Sequence, residues 1–223
     1  MNYAMVKRLM LKDWYLQRWA ILGSLVGVVV TLGIIATGGK VAFLLGLILL
    51  IMVIISIGAQ MPVATIVTER KEQTLPFVMT LPISYWEYTT SKIWGNLLIF
   101  LVPWLTMLLG SVALLMYDPK THGLIPYVAI MATEILMSTC LVLCVALITE
   151  SQGWTVSAIM AGNIGVNAIG YLVAHIPGIA KGMWGPAVQW SSAASVVLLV
   201  EFATIVLLLS VTFFVQARKK DFL

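Results

Sequence analysis

The sequence has little charge and little of the chemistry that enzymes use. Of its 223 residues only 10% are charged, whereas 61% are hydrophobic. A soluble domain carries about 25% charged residues, so this chain has too little polar surface to cover itself in water. The same composition excludes an intrinsically disordered chain, because disorder requires low hydrophobicity and high charge. The chain is therefore expected to be solvated mainly by lipid.

Catalytic and metal-binding motifs are also missing. The two histidines, His122 and His175, are far apart in sequence, and no zinc-protease or nucleophile-elbow pattern occurs. The segment from Gly33 to Lys40 only approaches a phosphate-binding loop, because an extra glycine precedes the lysine and Val41 replaces the Ser or Thr. The two cysteines lie four apart in an apolar run and are interpreted as small hydrophobic residues. The sequence thus predicts no enzyme activity and no cofactor bound by this chain.

The sequence does contain long apolar runs. A spanning helix needs about 20 apolar residues, and six such runs occupy residues 19–37, 41–68, 93–116, 124–148, 154–176 and 193–215. We therefore predict an all-α integral membrane protein that forms a single transmembrane domain of six helices, with Pro62 bending the end of the second span. Residues 1–18 combine basic and apolar side chains at helical spacing and are predicted to form an interfacial amphipathic helix. The alternative for residues 1–18 is a solvated lead-in.

The basic residues fall outside these six runs. Ten of the 13 Lys and Arg residues flank one side of the predicted spans and three flank the other. Basic loops are retained in the cytoplasm. We therefore expect both termini to be cytoplasmic and the protein to lie in the plasma (inner) membrane.

The longest cytoplasmic segment, residues 69–92, carries a cluster of charges. It begins with Glu69-Arg70-Lys71-Glu72 and continues into an apolar stretch bracketed by Pro76 and Pro82. Such a segment is able to form a short helix parallel to the membrane that presents its charges to a partner. The alternative is a solvated loop that only satisfies the positive-inside bias.

This segment resembles the type-2 permease family of ABC transporters, the membrane subunits of type V exporters. The similar residues are Glu69-Arg70-Lys71-Glu72, then Thr74-Leu75, then Leu81-Pro82-Ile83-Ser84. The six-span layout and the basic C-terminal end are also similar. The resemblance implies a coupling helix within 69–92 and a re-entrant outer element over 177–192. It also implies a dimer of permeases, identical or similar, with two copies of a separate ATPase subunit that binds ATP and magnesium. The residues implied to contact that ATPase are Glu69, Arg70, Lys71, Glu72, Thr74, Leu75, Leu81 and Pro82.

Two acidic residues, Glu134 and Glu201, interrupt the predicted spans. Carboxylates inside a bilayer are costly and face protein or water, so both are predicted to line a translocation path or to bind a cationic group of the substrate. The alternative is a protonated acid that hydrogen-bonds to a neighbouring helix.

Other polar residues occur in pairs at helical spacing. Asn163 and Asn167 lie one turn apart in the fifth span, and Ser56 and Gln60 lie four residues apart in the second. By the resemblance, these pairs line the seam between two protomers; the alternative is hydrogen bonding between packed helices.

The outer segment 177–192 is expected to act as an extracellular gate that includes Pro177, Trp184 and Trp190. The alternative is a loop anchored at the interface by its tryptophans. The family resemblance, with these features, implies a permease that exports amphipathic or antimicrobial peptides or drugs, a role in antibiotic resistance. The alternatives are a stand-alone proton-coupled secondary transporter that uses Glu134 and Glu201, and a membrane protein with a structural or regulatory role.

Overall fold

The computed structural model describes residues 3–72 and 84–218. Within these ranges the chain is mainly helical and contains no strand. Four of the sequence-predicted partner contacts, Thr74, Leu75, Leu81 and Pro82, lie outside the described residues. The helices, numbered in chain order, are α1 (Tyr3–Ala36), α2 (Lys40–Pro62), a π-helical turn (Val63–Val67), α3 (Thr68–Lys71), α4 (Tyr85–Tyr117), a 3-10 helix (Pro119–Leu124), α5 (Ile125–Thr149), α6 (Gln152–His175), α7 (Pro177–Ala180) and α8 (Ser192–Arg218).

Six helices in the described ranges are long and apolar enough to cross a membrane. They are α1, α2 together with its continuation to Lys71, α4, α5 with the preceding 3-10 helix, α6 and α8. The prediction of an all-helical chain with six apolar spans is therefore confirmed. Each of the last three predicted spans agrees with its helix to within three residues at both ends.

The predicted boundary between an interfacial helix over 1–18 and a first span over 19–37 is absent. Helix α1 runs without interruption from Tyr3 to Ala36, a length of about 50 Å at the rise of an α-helix. No glycine or proline occurs before Gly23, so nothing in the backbone ends the helix near residue 18. The buried face is also continuous, since Val6 and Leu9 lead through Asp13 to Ile21.

Pro62 does not end the second spanning helix. It is followed by a π-helical turn, Val63–Val67, in which the Thr68 hydroxyl donates to the Val63 carbonyl at 3.0 Å. Proline has no N–H to donate to a carbonyl of the preceding turn, so one helical hydrogen bond is missing. In the π-helical turn each backbone hydrogen bond spans one more residue than in an α-helix, and the helix continues to Lys71. The charged residues 69–71 therefore continue the second spanning helix past the end of its apolar run.

The third spanning helix begins earlier than the predicted residue 93. Helix α4 starts at Tyr85 with a capping box, in which the Glu87 N–H donates to the Ser84 hydroxyl and the Ser84 N–H donates to the Glu87 carboxylate. These bonds satisfy free amide groups of the first turn. Residues 85–92, predicted as part of a polar coupling segment, thus belong to α4.

The helices pack as two groups. Helix α1 packs against α2 and α4, whereas α5 packs against α6 and α8 and also contacts α2 and α4. The buried side chains between them are apolar, with Ile54, Phe100 and Ile130 fully enclosed. Large apolar side chains also cover the outside of the bundle, among them Val29, Met52, Leu109, Ile164, Leu199 and Val206. An outer surface of this kind is stable in lipid rather than water, and it indicates a multi-pass membrane protein.

Side-chain contacts distinguish the two ends of the bundle. At one end Lys12 meets Glu69, Arg70 meets Glu150, and Trp86 stacks on Phe213; we call this the basic end. At the opposite end the Gly123 N–H donates to the Gly185 carbonyl at 3.0 Å, so the 3-10 helix lies against the segment that follows α7.

Candidate functional site

Four charged side chains meet at the basic end in what we call the charged cluster: Lys12, Asp13, Glu69 and Lys92. The Lys92 ammonium lies 2.9 Å from Asp13 and 2.8 Å from Glu69. The Lys12 ammonium lies 2.6 Å from Glu69 and 3.3 Å from Asp13. Two lysines and two carboxylates balance in charge, as burial of ionised groups requires.

The charged cluster is enclosed by protein on its Lys92 side. The side chains of Lys92 and Asp13 are each only 2% exposed, whereas that of Lys12 is 39% exposed. One turn along α4, the Asn96 amide donates to the Lys92 carbonyl at 2.8 Å and accepts from the Thr65 hydroxyl at 3.0 Å. Thr65 belongs to the π-helical turn after Pro62. The polar contacts therefore connect α1, the end of the second span and the start of the third.

The sequence-predicted coupling residues divide into two sets. Glu69 faces the charged cluster, and Arg70 forms an ion pair with Glu150 at the end of α5. Glu150 adopts a left-handed conformation, with φ of 51°, where α5 ends and the chain turns towards α6. Lys71 and Glu72 are exposed. Glu69 and Arg70 thus hold helices together, and the exposed Lys71 and Glu72 remain available to a partner.

Polar side chains also reach the outer surface of the bundle along α2 and α6. Ser56 and Gln60 on α2 are exposed, as is Asn167 on α6. Asn163, which is partly buried, lines a small cavity between α2, α5 and α6 together with Ala59. Gln60 lies eleven residues before Lys71, and Asn163 lies eleven residues after Gln152, so both are about 16 Å from the basic ends of their helices. The structure therefore places Gln60 and Asn163 at the same depth, on two helices that both border this cavity.

The two acids predicted in the spans are both buried in the interior. Glu134 on α5 is 2% exposed and Glu201 on α8 is 4% exposed. They do not reach the surface that carries Ser56, Gln60 and Asn167. Glu134 lies instead beside α6 at Gly165, where an added Cβ would be 3.8 Å from a Glu134 carboxylate oxygen.

The predicted gate residues lie at the opposite end. Pro177 starts the short helix α7 and is exposed, as are Trp184 and Trp190. Ile179 and Met183, which sequence reasoning did not select, are the buried residues of this segment. Whether the segment enters the bilayer as a re-entrant element stays a prediction.

Sequence reasoning missed Asp13 and Lys92 as site residues. It placed both outside the spans, in an interfacial helix and in a polar loop. One signal for Asp13 was available: it continues the buried line of Val6 and Leu9 at helical spacing. An acid on that face requires a basic partner, but the sequence alone does not say that the partner is Lys92.

Comparisons with known proteins gave no relative for this chain. A scan against protein-family models produced no match, and searches of the curated proteins and of the solved structures likewise produced none.

Proposed function

We propose that this chain is the membrane-spanning permease subunit of an ABC exporter. In this proposal two permease subunits, identical or similar, enclose a translocation path, and two copies of a separate ATPase subunit bind ATP and magnesium and hydrolyse the ATP. The chain itself supplies the path and the surface that couples to the ATPase, and it is not an enzyme.

The observation that carries the proposal is the set of exposed polar side chains on α2 and α6, which we call the polar side. Ser56, Gln60 and Asn167 are exposed in the middle turns of helices that also expose large apolar residues such as Met52, Met160 and Ile164. A side-chain amide about 16 Å inside the end of a spanning helix finds no hydrogen-bond partner in lipid tails. The Asn167 amide donates to the Asn163 carbonyl of its own helix at 2.8 Å. A second permease subunit with water between the two would supply partners for the Gln60 amide, which supports a path at this seam.

The charged cluster supports the coupling part of the proposal. A segment that leaves the membrane at Glu72 is tied through Glu69 to α1 and α4, and through Arg70 to the turn between α5 and α6. A force applied to residues 71–83 by an ATPase subunit would therefore reach several spans at once. Lys71 and Glu72 are the described residues of this segment that would contact the ATPase. By the family resemblance, Thr74, Leu75, Leu81 and Pro82 would continue that surface.

Cysteine cross-linking tests the seam between subunits. Single cysteines replace Ser56, Gln60, Asn163 or Asn167 in membranes that contain the full chain, and dimers are counted after treatment with copper phenanthroline or a flexible bismaleimide. We expect dimers from one or more of these positions, because a side chain near a two-fold axis meets its own copy. The matched control is Leu199→Cys, exposed on α8 at nearly the same distance from the opposite end as Asn167. If all four positions give no more dimer than Leu199→Cys, the polar side is not a subunit interface.

Co-purification tests the coupling surface. The tagged full chain is purified from its native membranes, and the eluate is assayed for ATP hydrolysis and for a polypeptide with a phosphate-binding loop. We expect such a subunit to co-purify with the wild type and to be reduced several-fold by the combined Lys71→Glu and Glu72→Lys substitutions. Lys181→Glu, an exposed charge change at the opposite end, is the control. A permease that purifies without any ATPase subunit, or an association that survives the double reversal, contradicts the proposal.

The substrate class and location complete the proposal. No large extracellular domain is present between the described helices, which favours amphipathic or antimicrobial peptides or drugs taken from the cytoplasm or the inner leaflet. Location in the plasma membrane with cytoplasmic termini follows the excess of basic residues at the basic end. Stimulation of ATP hydrolysis by candidate compounds in the reconstituted complex would identify the substrate.

A further inference from the structure

Glu134 and Glu201 occupy matching positions on two packed helices. Each lies nine residues after the first residue of its helix, Ile125 in α5 and Ser192 in α8. The two helices run in the same direction and remain in register, because the Gln216 amide near the end of α8 donates to the Leu147 carbonyl near the end of α5. Both carboxyl groups therefore lie about 13 Å inside the opposite end of the bundle. The register and the packing of α5 against α8 thus set the two carboxyl groups at the same level of the bundle.

Three of their four carboxyl oxygens are buried without a hydrogen-bond partner among the described residues. Both oxygens of Glu201 and the Oε2 of Glu134 are buried without such a partner. The nearest hydroxyls in sequence are engaged elsewhere, since Thr133 donates to the Ala129 carbonyl and Thr204 to the Val200 carbonyl. On the α6 side, Gly165 offers no side chain at all. A buried polar group that lacks a partner is rare in a folded protein and requires an explanation.

No other ionisable group in the described residues compensates the pair. The ionisable side chains on the helices around the pair lie elsewhere. Cys140 and Cys144 lie further along α5. The others lie towards the ends of the helices: Glu69, Arg70, Glu87, Tyr88, Lys92, Tyr117, Lys120, His122, Tyr127, Tyr171, His175 and Arg218. Lys92, the fully buried lysine, is held by Asp13 and Glu69 in the charged cluster.

Two ionised carboxylates in this position would repel each other without water to solvate them. They therefore require a positive partner that fits between α5 and α8. A hard metal ion takes six or more oxygen ligands, whereas no group of three metal-ligating side chains occurs in the described ranges. A proton needs only the two carboxyl groups. Taken from water by one carboxylate, it forms an O–H that donates to an oxygen of the other.

We propose that Glu134 and Glu201 form a proton-binding carboxyl pair, in which one carboxyl holds a proton and donates it as a hydrogen bond to the other. The pair is independent of the ATPase-coupled function proposed above, because it rests only on the packing of α5 against α8. Since the shared proton bridges the two helices, proton binding and the packing of α5 against α8 are thermodynamically linked. A movement that separates α5 from α8 would break the hydrogen bond between the two carboxyls. The pair would then either release its proton to water or bind a second proton.

Infrared spectroscopy on the purified full chain in lipid nanodiscs tests this proposal. We expect a carboxylic-acid C=O stretching band at pH 7 that shifts in heavy water and is lost in the Glu134→Gln/Glu201→Gln double variant. Glutamine retains the size of the side chain and lacks the acid. The control is Glu72→Gln, which removes an exposed acid and should leave the band unchanged. An identical spectrum for wild type and double variant in this region overturns the proposal.

Carbodiimide labelling gives a second readout that does not depend on the double variant folding. Dicyclohexylcarbodiimide reacts with protonated carboxyls in apolar surroundings, and peptide mass spectrometry locates the adduct. We expect modification of Glu134 or Glu201 at pH 7, and its decline as the pH is raised and the pair loses its proton. Labelling confined to acids outside the spans, such as Glu72, contradicts the proposal. Neither measurement requires an ATPase partner, so a failure here is distinguishable from a failure of the permease proposal.

Discussion

Removal of the Lys92 ammonium should cost more stability than removal of the Lys12 ammonium from the same charged cluster. Lys92→Met keeps a side chain of similar length but leaves Asp13, 2% exposed, and Glu69 with only Lys12 to balance them. The cluster then carries a net negative charge in a buried site. Breaking a buried pair by deleting one partner costs about 3–5 kcal/mol. For a chain of this length about 2–4 °C of Tm corresponds to 1 kcal/mol, so we expect Tm to fall by roughly 6–20 °C.

The comparison with Lys12→Met makes this reasoning testable. Lys12 contacts the same two carboxylates but its side chain is 39% exposed, so its removal should cost no more than about 1 kcal/mol. The assay is thermal unfolding of the purified protein in detergent, followed by helical circular dichroism. A third variant, Lys92→Met with Asp13→Leu, removes one charge of each sign and should recover part of the loss. Equal Tm values for Lys92→Met and Lys12→Met would refute the argument from burial.

Three further stability predictions use the same unfolding assay. Arg70→Ala should cost at most about 1 kcal/mol, because the Arg70 side chain is 49% exposed in its pair with Glu150; a Tm loss as large as that of Lys92→Met would contradict this. Gly123→Ala should cost about 1–3 kcal/mol, because the added Cβ would overlap the backbone carbonyl oxygen of Gly182. Gly33→Ala, in open space within α1, should be neutral or stabilising. If the two alanine variants changed Tm equally, the overlap at Gly123 would have no measurable cost. Ser84→Ala should cost about 0.5–2 kcal/mol through loss of the α4 capping box, and an unchanged Tm would mean that the cap does not stabilise α4.

The sequence was sufficient for the six spans because hydropathy is a local property. Twenty consecutive apolar residues form a helix in lipid whatever they pack against. The same criterion failed at the basic end, where charged residues continue the helices. The apolar run starts the third span only after Lys92, whereas Lys92 lies in the second turn of α4. The cost of burying this lysine is offset by Asp13, which is 79 residues away along the chain.

The candidate site residues were predictable as types but not as neighbours. Glu134 and Glu201 are conspicuous as acids within apolar runs, and the sequence indicated that each faces protein or water. That α5 and α8 run side by side and set the two carboxyls at one depth depends on packing between distant segments. The same limit applies to Glu69, which the family resemblance assigned to a partner and which the structure shows in contact with Lys12 and Lys92.

These contacts suggest how the second span would transmit movement. The helix is continuous from Val41 to Lys71, so its charged end and its polar side belong to one rigid element. Gln60 lies about 16 Å from Lys71 along this helix, and the Thr65 hydroxyl between them bonds to Asn96 on α4. A tilt imposed at Lys71 and Glu72 would therefore displace Ala59 relative to Asn163 across the cavity between α2, α5 and α6. Because the charged cluster ties Glu69 to α1 and α4, these helices would move with the second span, whereas α6 and α8 are packed on α5. Movement of the second span relative to α6 then requires motion between the two helix groups, and the Arg70–Glu150 ion pair is a described charge contact that spans them.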